Sequence, residues 1–513
     1  MHIFIALVAG VWLFFRHHTS PWRKLPSGPR GLPLVGNIRQ LTDRQWLFRR
    51  ARKEHGDVVY LSIFGKSVLL LNSQKAATDL LTRRAENYSE RPRFIVGSEL
   101  LTGGLAFPLL SPNQRWRRMH RAAHEGLRRS VASSFHEIQS KEAIYLAIGV
   151  LEDSRSKAWT SHCQRFAAST IMSVTYDHPT LESALDPAYR KSDAVLRKLQ
   201  RAATPMHGAH LVEIIPWMVR IPSCIARWKQ EARRWFTHES KRLDAAVQEV
   251  KNSLEHGADR PSLTATMIKG GTRSGLSPSE MAWTAATMYI AGSDNTSVSM
   301  EWWIVAMAAY PDIQRRAHAE IDSVVGHSRL PSFADLPCMP YVRAMVKELL
   351  RWRQPLFGLP HSSKEDDWYN GMFIPKGTIC LANMAACNRD PDLYGENADL
   401  FDPSRFLDSA GKLVEQGPGE TREEGHVSYG FGRRVCVGRH IANNSLFIAI
   451  ATMLWATIIE PVKDGNGDSL VDIEAYADTW VTSIPAPYQC TIRPRFAEAL
   501  ALLKEERERN ISS

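Results

Sequence analysis

Between Ser277 and Tyr310 the sequence describes a helix that only a large protein interior can hold. Ser277-Pro278-Ser279-Glu280 opens it as a capping box, with proline in the first turn where its missing N–H goes unneeded. Apolar residues run on to Tyr310, and Pro311 ends the pattern. At ~1.5 Å per residue the helix is about 50 Å long, more than most globular helices reach. A helix so apolar along its length must be buried across the middle of its domain. The chain has the means: 513 residues, 44% apolar and 23% charged, suffice for a large core. No internal repeat and no second core calls for another large domain.

The rest of the pattern is mainly helical with little sheet. Residues 56–73, GDVVYLSIFGKSVLLLNS, are β-branched and aromatic and predict a hairpin. From about 110 to 355 the periodicity is mostly helical, and a clear helix covers Pro340 to Arg353. Residues 355–435 are irregular, with short strand-like runs such as MFIPKGTICLAN, and 411–425 form a polar insertion. Gly438 then opens an apolar helix to about Ile458. The fold class is mainly α with small β-sheets (α+β).

Residues 3–15, IFIALVAGVWLFF, are one apolar run, shorter than the ~20 residues that span a bilayer comfortably. A cleaved signal also has a run of this size. Met1 and His2, however, give it no basic start, and Phe14-Phe15-Arg16 is a poor cleavage site. Positive charge after the run keeps the downstream chain in the cytosol, so residues 1–20 are predicted to be a membrane anchor. Residues 21–37 contain LPSGPRGLPLVGN, a Pro/Gly elbow in which neither helix nor sheet persists. The body is residues 38–513.

Net charge is +10, with 64 Lys and Arg against 54 Asp and Glu. No run of five basic residues and no nucleic-acid module occurs, so a membrane face or an acidic protein partner is the better reading. The seven cysteines, at 163, 224, 338, 380, 387, 436 and 490, are odd in number, widely spaced and without C-x-x-C. That argues against a disulfide framework or structural zinc and for a reducing compartment. Six can be core packing.

Cys436 needs a separate account. It sits in Tyr429-Gly430-Phe431-Gly432-Arg433-Arg434-Val435-Cys436-Val437-Gly438, a Gly-rich loop followed by a helix. A metal-binding thiolate needs N–H donors aimed at sulfur, and such a turn supplies them. Gly438 lets the helix start pass close to a flat cofactor, and Arg434 can reach an anionic group on it. A dinucleotide loop is excluded because Val435 holds the third glycine position and no βαβ unit surrounds it.

The segment resembles the haem-binding loop of cytochrome P-450 monooxygenases, F-x-x-G-x-R-x-C-x-G, departing only at Tyr429. The resemblance implies haem b with Cys436 as axial thiolate, and the fold of that family: a long central helix and a cysteine loop sandwiching the haem. Glu348 and Arg351, in KELLR, share a helix face at i, i+3, a pair that alone would be surface decoration. Phe401-Asp402-Pro403-Ser404-Arg405-Phe406 resembles the family's F-x-P-x-R-F element, which implies that Arg405 completes a buried structural cluster with Glu348 and Arg351. Ala291-Gly292-Ser293-Asp294-Asn295-Thr296 resembles the oxygen-activation segment A-G-x-[DE]-T-[TS]. There Ala291 and Gly292 make room beside the iron, and Asp294 belongs to a proton relay with Asn295 and Thr296. Asn295 replaces the hydroxyl-bearing residue; a carboxamide donates a hydrogen bond but has no hydroxyl to pass a proton. Either Asn295 orders a relay water, or the reaction depends less on O–O cleavage. Trp116 and His120 stand where the W-x-x-x-R segment holds a haem propionate, and His361 where another propionate partner falls.

By the same resemblance the substrate pocket takes residues from Phe94–Phe107, 204–225, Tyr289–Ser293, Leu356–Leu359 and Trp480–Ile484, which favours a lipophilic small molecule. Residues 210–222 are apolar enough to dip into a membrane. No flavin or iron–sulfur module is present, so an NADPH–cytochrome reductase is implied, with a basic docking face from Arg433, Arg439 and the 117–129 arginines. Residues 362–378 look like those of fungal members that tailor secondary metabolites, and the resemblance places the protein on the endoplasmic reticulum membrane. The alternatives are phenol coupling or rearrangement without oxygen insertion, and a non-catalytic haem sensor or electron carrier.

Overall fold

The structure, a computed structural model, describes residues 20–512 except 154–158, 184–185, 187–193, 196, 199–210, 465, 468 and 478–481. The anchor expected over residues 1–20 lies almost wholly outside the described residues. Among the described residues no helix is long and apolar enough to cross a membrane.

The chain forms two compact units. The smaller comprises Met1–Pro92, Gly358–Cys387 and Phe431–Arg433. Its sheet starts from the expected hairpin, β1 (Val58–Ile63) and β2 (Lys66–Leu71), antiparallel from Val58↔Leu71 to Ile63↔Lys66. Phe64 and Gly65, both at positive φ, form the two-residue turn that suits the twist of paired strands. β3 (His361–Ser362) and β6 (Ile379–Ala382) complete the order β1-β2-β6-β3, with β6 parallel to β2 and antiparallel to β3. Between them β4 (Asp367–Tyr369) and β5 (Met372–Ile374) make a separate ribbon. The run MFIPKGTICLAN thus supplies strands to two different sheets. The Pro/Gly elbow is fastened to this unit: Asn37 donates to the Pro29 carbonyl at 2.9 Å and accepts from the Ser62 N–H at 2.8 Å.

The larger unit comprises Arg93–Phe357, Asn388–Gly430 and Arg434–Ser513. Its main helices are α1 (Gln114–Leu127), α2 (His136–Glu152), α3 (Trp159–Tyr176), α4 (Arg227–Glu255), α5 (Pro278–Ala309), α6 (Pro311–Val324), α7 (Pro340–Trp352) and α8 (Arg439–Ala456). β7 (Thr457–Pro461) pairs with β8 (Cys490–Pro494).

α5 is the predicted axial helix. Ser277 accepts from the Glu280 N–H and Glu280 accepts from the Ser277 N–H, at 3.2 and 3.0 Å, so the capping box is closed in both directions. Glu280 also receives Arg118 of α1 at 2.6 Å, which ties the helix start to a neighbour. Its first half packs in one apolar core with α1 and α3, and its second half in another with α2, α3, α6, α7 and α8. Trp302 and Trp303 are fully enclosed there, and burial on this scale, at ~25 cal/mol per Å², dominates the stability of the unit.

Candidate active site

Cys436 lies two residues before the first turn of α8. Its own N–H donates to the Tyr429 carbonyl at 2.8 Å, which closes the loop. Its sulfur accepts from the backbone N–H groups of Gly438 and Arg439, so the donors come from the helix start, not from the upstream glycines. Burial pushes the thiol pKa up, while those N–H groups and the Arg439 guanidinium pull the other way. The sulfur is crowded by protein, yet Cys436 still presents accessible surface.

The loop is tied from behind. Glu348 and Arg351 of α7 are completely enclosed and joined at 2.6 and 2.7 Å. Arg351 also donates to the carbonyls of Asn388, Ala398 and Leu400 at 2.7, 2.8 and 3.0 Å, so all its nitrogens are used. Arg405 reaches Glu348 at 3.6 Å and donates to Asn397 and to the Tyr394 carbonyl. Asn388 carries the hold forward, accepting from the Val427 N–H at 3.0 Å and donating to Ser428 at 2.8 Å. Ser428 donates back to the Leu350 carbonyl at 2.6 Å. Asn388 had no signal in the sequence, because it sits in irregular chain.

The Tyr429 hydroxyl donates to Asn443 of α8 at 2.6 Å, and Asn443 donates to Glu424 at 3.0 Å. Tyr in place of Phe thus adds a tether between loop and helix. That partner was not legible, since Asn443 reads as an ordinary polar position on α8.

Trp116, His120 and Arg434 gather at one place. The Arg434 guanidinium lies 4.4 Å over the Trp116 ring and donates to the Leu110 carbonyl at 2.6 Å. Trp116 stacks on His120 with centroids 4.7 Å apart. Burial, then His124 and Arg434, push the His120 pKa down to about 4. Its Nε2 is enclosed and has no hydrogen-bond partner among the described residues. A buried donor facing a guanidinium with nothing to bond asks for an acceptor.

Gly438 points the same way. A Cβ there would meet only the Cys436 sulfur, at 3.9 Å, so protein packing does not demand a glycine. Gly292 contrasts with it: a Cβ there would fall 2.6 Å from Ile171 of α3. The space at Gly292 is therefore taken by the neighbouring helix, whereas Ala291 is exposed at the middle of an otherwise enclosed helix. These residues fit a flat group with an acidic edge, a ligand position at sulfur and one face toward Ala291.

On α5, Asp294 and Asn295 are half-buried and Thr296 is buried. Ser299 donates to the Asn295 carbonyl at 2.9 Å. One turn further on stands Glu301, 4% exposed, which accepts from Ser297 at 2.9 Å. A lone acid inside an apolar run was the visible signal for it. In the smaller unit His361 is buried and its Nδ1 donates to the Tyr88 carbonyl at 2.7 Å. Donation to an anion from Nε2 then requires the doubly protonated ring. Phe431 is buried in that unit too.

Two pairs of the expected pocket segments meet. Glu213 accepts from the N–H groups of Ile95 and Val96 at 3.1 and 2.7 Å, joining the 94–107 loop to the described part of 204–225. Leu356 is bridged to Thr482, and the Ser483 N–H donates to the Pro355 carbonyl at 2.9 Å. Residues 204–210 and 478–481, Trp480 included, lie outside the described residues.

A cysteine at a helix start, a locked loop and a cationic-aromatic cradle fit the residues expected of a haem-thiolate site. Residues 26–466 match the cytochrome P-450 family, and the chain belongs to it. It is 49% identical over 510 residues to a cytochrome P-450 monooxygenase of Armillaria gallica, covering 99% of this chain and 96% of that protein. Cytochrome P-450 monooxygenase 58 of Postia placenta is 40% identical over 506 residues, with 98% and 95% covered. Monooxygenase iboC of Amanita muscaria is 37% identical over 534 residues, with 95% and 94% covered. The protein is a cytochrome P-450 monooxygenase whose cofactor is haem b with a cysteine thiolate ligand. The reading as a non-catalytic sensor or carrier is thereby set aside.

Proposed function

We propose that Cys436 is the axial thiolate and that the enzyme inserts one atom of dioxygen into a lipophilic small molecule, by hydroxylation or a related oxidation. The observation that carries this is the Cys436 sulfur accepting two backbone N–H groups at the start of α8. Bound haem supplies the iron that activates dioxygen; this chain supplies the rest. Gly438 and Arg439 direct N–H groups at the sulfur lone pairs, which favours the thiolate. Arg434, Trp116 and His120 take the acidic edge of the cofactor. Ala291 borders the space for dioxygen, Asp294 relays protons, and the Asn295 carboxamide positions a water beside Thr296.

Two electrons per turnover come from an NADPH–cytochrome reductase. The exposed Arg117, Arg121, Arg128 and Arg129 support a basic face for an acidic partner. Leu211, Trp217 and Ile225 are exposed apolar residues. With the run at 3–15 they support attachment to the endoplasmic reticulum membrane and delivery of substrate from the bilayer. Kinship to fungal monooxygenases supports a place in secondary metabolism.

The test is a carbon-monoxide difference spectrum of the reduced holoenzyme, then turnover with reductase, NADPH and isotopically labelled dioxygen. A thiolate Soret shift and one labelled oxygen in the product are expected. Absence of the shift overturns the assignment of Cys436. Asn295 favours a second reading, phenol coupling or rearrangement, and a product free of label would establish it over insertion.

A further inference from the structure

Most polar side chains inside the larger unit have evident work; Glu301 does not. It is 4% exposed, on the stretch of α5 packed among α2, α3, α7 and α8. No Lys, Arg or His among the described residues pairs with it, and its hydrogen bond comes from the Ser297 hydroxyl at 2.9 Å. A carboxylate buried so deeply without a cation is costly. Ser297 is itself 4% exposed.

The helix puts the pair in register with the oxygen-activation segment. Asp294, Ser297 and Glu301 follow at i, i+3 and i+7, within about 60° of one another on one face. Asn295 and Thr296 point roughly 100° and 160° away from Asp294. The hydroxyl missing at 295 therefore has a counterpart at 297, on the face of Asp294 and backed by a second acid.

Resting on the monooxygenase reading above, we propose that Glu301 is a proton store for this site, acting through Ser297 and Asp294. When Asp294 gives up a proton toward the space that Ala291 borders, the Glu301 O–H bond breaks and an O–H bond forms on Asp294. The Ser297 hydroxyl, which donates to Glu301 at 2.9 Å in the resting structure, must turn to accept from Glu301 and donate toward Asp294, and the negative charge passes to Glu301. Glu301 is then reprotonated from solvent by the reverse path. Glu301 is a positioning residue in this scheme: it touches neither substrate nor cofactor.

The state of the acid agrees. Burial lifts the Glu301 pKa to about 8 against the opposing pull of the Ser297 hydrogen bond, with a smaller upward push from Asp294, so it carries its proton at neutral pH. The groups facing it are Asp294 on its own helix and Cys163 on α3. The Cys163 thiol is pushed up by burial and then by Glu301 and stays neutral. Arg165, further along α3, is spent on Glu142 at 2.7 Å. A raised carboxyl binds its proton in the folded state and loses it on unfolding, so its contribution to stability is complete below about pH 4.5. It is lost as pH rises toward 8.

The experiment compares the wild-type holoenzyme with Glu301→Gln and Ser297→Ala. Infrared spectra of the resting protein should show a protonated-carboxyl band at pH 7 that fades as pH passes 8 and is absent in Glu301→Gln. Glu301→Gln should also raise Tm relative to wild type at pH 8.5 and leave it unchanged near pH 5. In turnover, both variants should release severalfold more hydrogen peroxide per NADPH and show a larger solvent isotope effect, with the carbon-monoxide spectrum unchanged. Peroxide release and isotope effect like wild type in both variants overturn the proposal, and Ser297→Ala decides it alone if Glu301→Gln does not fold. Loss of the thiolate spectrum in wild type would instead strike the monooxygenase site, and leaves the infrared band to report on the acid separately.

Discussion

Cys436 and the middle of α5 belong to the same unit but are held in opposite ways. Behind the loop, Arg351 alone makes five hydrogen bonds and Asn388 passes the restraint to Val427 and Ser428. On α5, Glu301 has a single hydroxyl for company, and the position beside Asp294 carries a carboxamide. Buried charge that is fully bonded fixes geometry. A buried acid left without a cation keeps its proton instead. On the proposed reading, the chain holds its ligand Cys436 by redundancy and leaves its proton chemistry adjustable through single residues.

The sharpest way to break this contrast is at the ligand. Cys436→Ser should abolish the thiolate carbon-monoxide spectrum and essentially all product formation, since no other cysteine lies in the loop. Retention of the thiolate band in that variant would mean that another cysteine binds iron.

The next largest effect tests redundancy itself. Arg351→Leu strands Glu348 in a fully enclosed position and should cost ~3–5 kcal/mol, read as a fall in Tm and in haem content. Arg351→Lys should recover only part of this, because an ammonium offers three donors where Arg351 uses five. Full recovery by Lys would show that charge alone holds the loop.

On α5 the expected effects are on partition and not on stability. Asn295→Thr restores a hydroxyl beside Asp294 and should lower peroxide leakage severalfold, with Tm and the carbon-monoxide spectrum unchanged. Unchanged rate and unchanged leakage would show that Asn295 does not tune oxygen activation.

Legibility in the sequence divides along the same line. α5, α7, α8 and the first hairpin were legible because their signals are local: a capping box, apolar periodicity, a run of β-branched residues. The parallel pairing of β2 with β6 was not, since it joins Val68 to Ile379 across most of the chain. The Glu348–Arg351 pair looked like surface decoration by spacing alone, and only the resemblance pointed to burial. Gly292 was expected to give room beside the iron, and the structure adds a second demand on it, since a Cβ there would crowd Ile171; a helix–helix approach leaves no mark of its own in the sequence. Asn388 and Asn443 could not be singled out, because their partners are backbone groups and residues distant in sequence.

The smallest effect concerns the one departure in the loop motif. Tyr429 keeps the aromatic packing of the usual Phe and adds a hydroxyl bonded to Asn443 at 2.6 Å. Tyr429→Phe removes the donor and leaves Asn443 still bonded to Glu424, so the loss should be close to one net hydrogen bond, ~1 kcal/mol. The thiolate spectrum should survive, because the Tyr429 carbonyl that receives the Cys436 N–H is backbone and stays in place. A measurable drop in Tm with an intact spectrum is the outcome that redundancy requires: one tether fewer, with the Asn388 and Arg351 ties unchanged. Loss of the thiolate band in Tyr429→Phe would mean that the loop hangs on a single side-chain bond, and the contrast with α5 would fail.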